Sequence, residues 1–190
     1  MNKMTATRQQ ILACLMLVFL SVLGRPAMAQ DAQVPEADLK AAFLFNFTKF
    51  IEWPAEAFAN DDAPVVVGVY GDEKFTKTLQ TLLADKKVNT HPFTVKRLTN
   101  PQEAKGCQIL FFRESETRIM GQVYDAIKRL PILTVGESED FLDQGGMFNF
   151  FFEDKQLRFE VNPPTAENAK LTVSSKLLRL AKKVRKGGAK

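Results

Sequence analysis

The chain has 190 residues, a formal net charge of +4, one histidine and two cysteines. So few imidazoles and thiols exclude a Cys/His zinc cluster and leave little for histidine-based acid–base or nucleophilic catalysis.

Lys3 and Arg8 precede an apolar run over residues 11–23, followed by Arg25, Pro26 and the small-x-small triplet Ala27, Met28, Ala29. This order predicts a cleavable secretory signal over residues 1–29. The run is about 13 residues long, too short to span a bilayer, so the expectation is an exported, non-spanning protein whose residues 30–190 form one domain. Cleavage removes three positive charges and no acid, which brings the charge to about +1. Seven cations from Lys176 to Lys190 leave residues 30–175 near −6. That basic end reads as a solvated helix face, with contact to an anionic membrane as the competing reading; nucleic acid is set aside, because no aromatic residue is interleaved with these charges. Only Cys107 survives processing, so no internal disulfide can form.

Residues 36–53 read as a helix in which Leu39, Phe43, Phe47 and Phe50 recur at helical spacing, closed by Pro54. Phe45, Ile51 and Trp53 make it apolar on every side. Such a helix needs more than one apolar neighbour. Residues 65–70, mostly valine, read as a strand buried on both faces, and Gly71-Asp72 turns the chain into a helix over residues 73–84. The alternation continues with strands at 93–98 and 108–112, a helix at 114–129 and a strand at 131–135. It predicts a mostly parallel sheet flanked by helices. Residues 147–152 and 157–161 then read as an antiparallel hairpin around Glu153-Asp154-Lys155. Period two puts Phe148, Phe150 and Phe152 on one face and Met147, Asn149 and Phe151 on the other. A short helix to about residue 170 and a final one from Ser174 or Ser175, carrying Leu177, Leu178, Leu180, Ala181 and Val184, complete a three-layer α/β arrangement.

His91, before Pro92 in a polar loop, reads as an exposed bystander, and Cys107, at the head of a core strand, as a buried inert thiol. The acids Glu137, Glu139, Asp140 and Asp143 lack the ordered spacing of a calcium loop. Neither glycine turn, at Gly71 or Gly136, has the further glycines of a nucleotide-binding loop. No metal, cofactor or catalytic residue is assigned. A crevice is expected where the parallel strands end, with Asp72, Arg113, Ser115 and Ser138 converging and Arg113 as a charge anchor; the competing reading is that these residues are only caps and turns.

Six segments in order resemble the YfiR family of exported regulators. They are Lys40 to Phe47 with Glu52-Trp53-Pro54, Val69 to Asp72, Ile132 to Gly136, Gly145 to Met147, Arg158 to Asn162, and Ser174 to Ala181. The resemblance implies a periplasmic protein that represses an inner-membrane diguanylate cyclase through the cyclase's periplasmic sensor domain. It further implies lower cyclic-di-GMP output and biofilm formation, and relief by an outer-membrane lipoprotein. Some members carry paired cysteines; here Gly71, Gly145 and Phe152 stand at the other positions, so redox tuning is not carried over. With this family in view, Phe43, Phe47, Phe50, Trp53 and Phe151 are the expected partner or homodimer surface, core packing being the competing account for each ring. A periplasmic small-ligand receptor using the strand-end crevice is the alternative function.

Overall fold

Val65, Val67 and Val69 lie on one face of a six-residue strand and are fully enclosed; in the computed structural model, which describes residues 34–185, that strand is central to the molecule. The expected signal over residues 1–29 lies outside the described residues, as do Lys186 and Lys190. In chain order the elements are α1 (Glu36–Thr48), β1 (Ile51–Glu52), β2 (Val65–Tyr70), α2 (Glu73–Leu83), β3 (Lys87–Val88), β4 (His91–Leu98) and β5 (Ile109–Phe112). They continue with α3 (Met120–Ile127), β6 (Leu133–Gly136), β7 (Phe148–Glu153), β8 (Gln156–Val161), α4 (Pro163–Asn168), β9 (Thr172–Val173), α5 (Ser175–Leu180) and β10 (Lys183–Val184).

The main sheet runs β10-β8-β7-β6-β5-β2-β4-β3. Strands β4, β2, β5, β6 and β7 are mutually parallel, and β7–β8 is the expected antiparallel hairpin. Its turn places Asp154 and Lys155 at positive φ, 50° and 61°. β2 sits between β4 and β5, so the connections reverse direction there. That places a topological switch point at the carboxyl ends of β2 and β5.

Alternation along each strand builds two cores. One face carries Val67, Ile109, Phe111, Val135, Phe148, Phe150 and Phe159 under α1, α2, α4 and α5. The other carries Tyr70, Leu110 and Phe112 under α3 and the 3-10 turn Pro101–Gly106. Asp72 starts α2 by accepting from the Phe75 amide at 2.7 Å. Gln108 ties a loop to the sheet, its Nε2 donating to Ala57 O at 2.8 Å while its Oε1 accepts from Val66 N at 2.9 Å.

Three element boundaries depart from expectation. α1 stops at Thr48, and the chain turns through Lys49 and Phe50 so that β1 can pair antiparallel with β9. The expected helix over residues 114–129 opens as a 3-10 turn, Glu114–Ile119, and becomes α-helical only at Met120. The final helix ends at Leu180; Lys183 and Val184 instead pair in parallel with Glu160 and Val161. The backbone amides of Lys182 and Arg185 donate to Phe159 O and Val161 O at 2.9 and 2.8 Å. Edge pairing with β8 outweighs the helical pattern of this short amphipathic run.

Candidate functional site

The two ends of the sheet hold different sites. At the carboxyl end, Asp72 follows β2, Arg113 follows β5, and Glu137 and Ser138 follow β6. Arg113 Nε lies 3.2 Å from Glu137 Oε1 and 3.6 Å from Asp72 Oδ2, with its guanidinium 5.2 Å from the Phe75 ring centroid. Gly71 is required here, because a Cβ at that position would fall 2.2 Å from Arg113 Cγ. From α1, Lys40 reaches the same carboxylate and also pairs with Glu36. The Lys40 and Glu137 side chains are 4% and 9% exposed, so this is a buried ion pair, and the Glu114 amide adds a bond to Glu137 Oε1 at 3.2 Å. Of the expected crevice residues, Asp72 meets Arg113, and Ser138 lines the same cavity as Arg113. The fourth, Ser115, is exposed on the 3-10 turn and does not line the crevice, because the chain rises into that turn directly after Arg113. Ser138 donates to Asp140 Oδ1 at 3.1 Å. The cavity beside this knot measures about 620 Å³ and extends along β7 and β8 to Asn149, Phe151 and Glu160.

At the amino end lies a groove of about 790 Å³, walled by Trp53, Pro54, Phe58, Val88 and His91. Trp53 and Phe58 meet edge to face with centroids 6.5 Å apart, and Phe58 stacks on His91 at 4.0 Å and 16°. His91 is thus half-buried and engaged, in contrast to the expected exposed bystander. Its Nδ1 lies 2.7 Å from Ala63 O, and because a carbonyl only accepts, this nitrogen carries the proton. The Trp53 indole Nε1 is enclosed and has no hydrogen-bond acceptor among the described residues.

The aromatic rings of α1 are distributed by its place in the middle of a sheet face. Phe47, 1% exposed, packs against Phe148, Phe159 and Phe150 at 4.8, 5.0 and 5.6 Å. It offers no area to a partner, so this position leaves the expected surface. Phe43 leans toward the hairpin, edge-on to Phe150 at 5.8 Å, and Phe45 toward β4, 5.8 Å from Phe93. Both are half-buried, as are Phe50, Trp53 and Phe151. Few positions face solvent: Glu36, Ala42 and Asn46 on α1, and Lys49 just beyond it. On β7, Phe148 and Phe150 are buried, Phe152 is 47% exposed at the hairpin end, and Asn149 is buried on the opposite face.

Lys40, Asn149 and Phe58 were absent from the sequence-based nominations. A lysine on the stripe of α1 that carries Leu44 and Phe47 was the available signal for Lys40, since a buried ammonium demands a carboxylate partner; for Asn149 it was a polar residue amid four phenylalanines. Cys107 is 2% exposed and its thiol is pushed up by burial, which agrees with an inert core role. Burial likewise raises the Tyr70 phenol, whose hydroxyl donates to Asn100 O at 2.8 Å. The described part of the basic end is tied down: Lys182 pairs with Glu153 at 2.7 Å and Arg185 with Asp143. Among the described residues there is no cluster of His, Cys, Asp and Glu fit to hold a metal ion, and no helix is long and apolar enough to cross a membrane.

Comparison with known proteins gives a consistent family and fold. No curated protein matches the chain. A solved structure, a conserved domain protein from Vibrio cholerae O1 biovar El Tor strain N16961, superposes with a TM-score of 0.54 at 9% identity, which shows a shared fold. The match covers 79% of this chain and 60% of that one, so the present chain spans about three fifths of that neighbour's length. The YfiR/HmsC-like family model matches residues 37–182, from the second residue of α1 to the residue before β10. The chain therefore belongs to the YfiR/HmsC-like family, whose members are periplasmic and regulatory rather than catalytic.

Proposed function

We propose that the protein, exported by its residues 1–29 and active as the single domain 30–190, is a periplasmic negative regulator of an inner-membrane diguanylate cyclase. It binds the cyclase's periplasmic sensor domain and lowers cyclic-di-GMP output, and an outer-membrane lipoprotein relieves it by sequestration. Binding represses only to the extent that the regulator prefers the inactive conformation of the sensor over the active one. A family of regulators supplies the class of activity, and one observation supports the docking role. The Trp53 groove offers an aromatic wall together with an indole N–H that lacks an acceptor, the pairing of apolar area and a directional polar handle that tryptophan brings to interfaces.

Trp53 is therefore the central contact, with Phe50 and Phe43 as further half-exposed rings along the α1 segment. Phe151, half-buried on the face of β7 opposite Phe152, is the further ring proposed for contact with a partner or a second copy of the chain. The test is co-purification with the cyclase's periplasmic domain, alongside cellular cyclic-di-GMP in a strain lacking the regulator. Capture of the sensor domain by the native protein, its loss in a folded Trp53→Ala variant, and raised cyclic-di-GMP on deletion are expected. A Trp53→Ala variant that binds as tightly as the native protein removes the groove from the interface. Unchanged cyclic-di-GMP on deletion, with the matching cyclase present, overturns the reading as a whole.

A further inference from the structure

The cavity at the carboxyl end contains a polar group that the fold leaves unfinished. Asn149 is 3% exposed and lines the cavity. Its Nδ2 donates to Glu160 Oε1 across the β7–β8 pair at 3.4 Å. That contact sets the amide's orientation, because the reversed amide would press Oδ1 against a carboxylate. Oδ1 is then left buried without a donor among the described residues. An orphaned acceptor of this kind is unfavourable and is completed only by a group bearing N–H or O–H.

The charge around it selects which donor. Lys40 is neutralised by Glu36 and Glu137, Arg113 by Glu137 and Asp72, and Arg185 by Asp143. Glu139 and Glu160 line the same cavity and form no ion pair among the described residues. Lys183, the register partner of Glu160, is the remaining cation. Glu160 already accepts from Asn149 and faces Arg185, but with Glu139 it keeps the balance around Asn149 acidic against the one ammonium of Lys183, which disfavours an anion and favours a cationic donor. Phe151 and Phe152 supply apolar wall; Phe152 already has Lys40 Nζ 6.0 Å from its ring centroid, so Phe151 is the ring left for a cation or its alkyl stem. The volume, about 620 Å³, falls in the range of small-molecule sites.

We infer that this cavity is a binding site for a small molecule carrying a primary ammonium group on a short apolar stem, with the ammonium donating to Asn149 Oδ1 beside the Glu160 carboxylate. The site is separate from the Trp53 groove and holds whatever protein docks there. Titration of the purified protein with putrescine and n-butylammonium, followed by calorimetry and thermal shift, tests it. Tetramethylammonium, which has the charge but no N–H, and acetate serve as the controls. Saturable binding of the primary amines at concentrations up to about 10 mM, with neither control bound, is expected. Asn149→Leu should weaken it by at least about tenfold, the factor carried by one charge-assisted hydrogen bond. Glu160→Gln keeps an acceptor for Asn149 Nδ2 and removes only the charge, so it reports on the site even where Asn149→Leu fails to fold; a loss of about tenfold is again expected. Absence of amine binding, equal binding of tetramethylammonium, or unchanged affinity in a folded Asn149→Leu or in Glu160→Gln each overturns the proposal.

Discussion

The Lys40–Glu137–Arg113 knot and the Trp53 groove stand at opposite ends of one sheet and use their polar atoms in opposite ways. In the knot every charge meets its complement inside the chain: the Glu137 carboxylate takes Lys40, Arg113 and the Glu114 amide at once. In the groove the rings are satisfied by one another, but the indole N–H is not. A network closed on itself fixes geometry, here the seating of α1 on the strand ends, and has nothing left to recognise a partner with. An enclosed donor without an acceptor is the reverse case.

The sharpest way to separate core from contact is Phe47→Ala, which lies between the two ends. Loss of a fully packed ring touching four other phenylalanines should cost about 4 kcal/mol in chemical denaturation. A folded Phe47→Ala with native stability would mean that α1 is held elsewhere. Next in size, Lys40→Met leaves the buried Glu137 carboxylate with Arg113 as its one cation and should cost about 3 kcal/mol. Lys40→Met with Glu137→Leu should recover much of that loss, because an apolar pair of similar volume carries no desolvation penalty. Failure of the double variant to recover would show that the knot does more than seat the helix.

At the other end, Trp53→Ala removes a half-buried side chain and should cost the fold only about 1–2 kcal/mol. It should also weaken sensor-domain binding by about 30-fold, the effect of losing one central aromatic contact. The contrast between a stability loss at Lys40 and a binding loss at Trp53 is the distinction drawn above, in measurable form. Equal losses of both kinds at both residues would erase it.

Much of the architecture was legible in the residues. Short apolar runs, valine-rich in β2, marked the parallel strands, the 147–161 alternation marked the hairpin, and Gly71-Asp72 and Gly136 marked the strand ends where Arg113 and Glu137 meet. Family membership was legible too, because six motifs keep their order. What the sequence hid was set by long-range pairing. Two-residue strands such as β1, β9 and β10 carry no periodicity of their own; they exist because Ile51 meets Val173 and Val184 meets Val161. The aromatic surplus of α1 read as surface left over, whereas a helix lying mid-sheet has neighbours on both flanks and uses most of it. Asn149 could be placed on the correct face by period two, but its lack of a donor depends on Glu160, eleven positions along the chain.

The smallest expected effect concerns the strand edge that closes the amine cavity. Lys182 and Arg185 bracket β10 and hold it through Glu153 and Asp143. The hydrogen bond from Lys182 holds the Glu153 carboxyl below its ordinary 4.5, and that from Arg185 holds Asp143 below its ordinary 3.8. A carboxylate whose folded pKa is depressed contributes stability that is present above its unfolded value and is lost as pH falls through the folded one. β10 should therefore be indifferent to pH from neutrality down to about 5, then loosen below about 4 while the β2 core stays closed. Hydrogen-exchange protection of the Lys182 and Arg185 amides, which donate to Phe159 O and Val161 O, reads this directly against the amides of β2. Asp143→Asn and Glu153→Gln should each reproduce part of the loosening at neutral pH, since the bond partner remains and the charge does not. Protection at Lys182 and Arg185 that stays level with β2 down to about pH 3 would show that backbone pairing to β8 alone secures this edge.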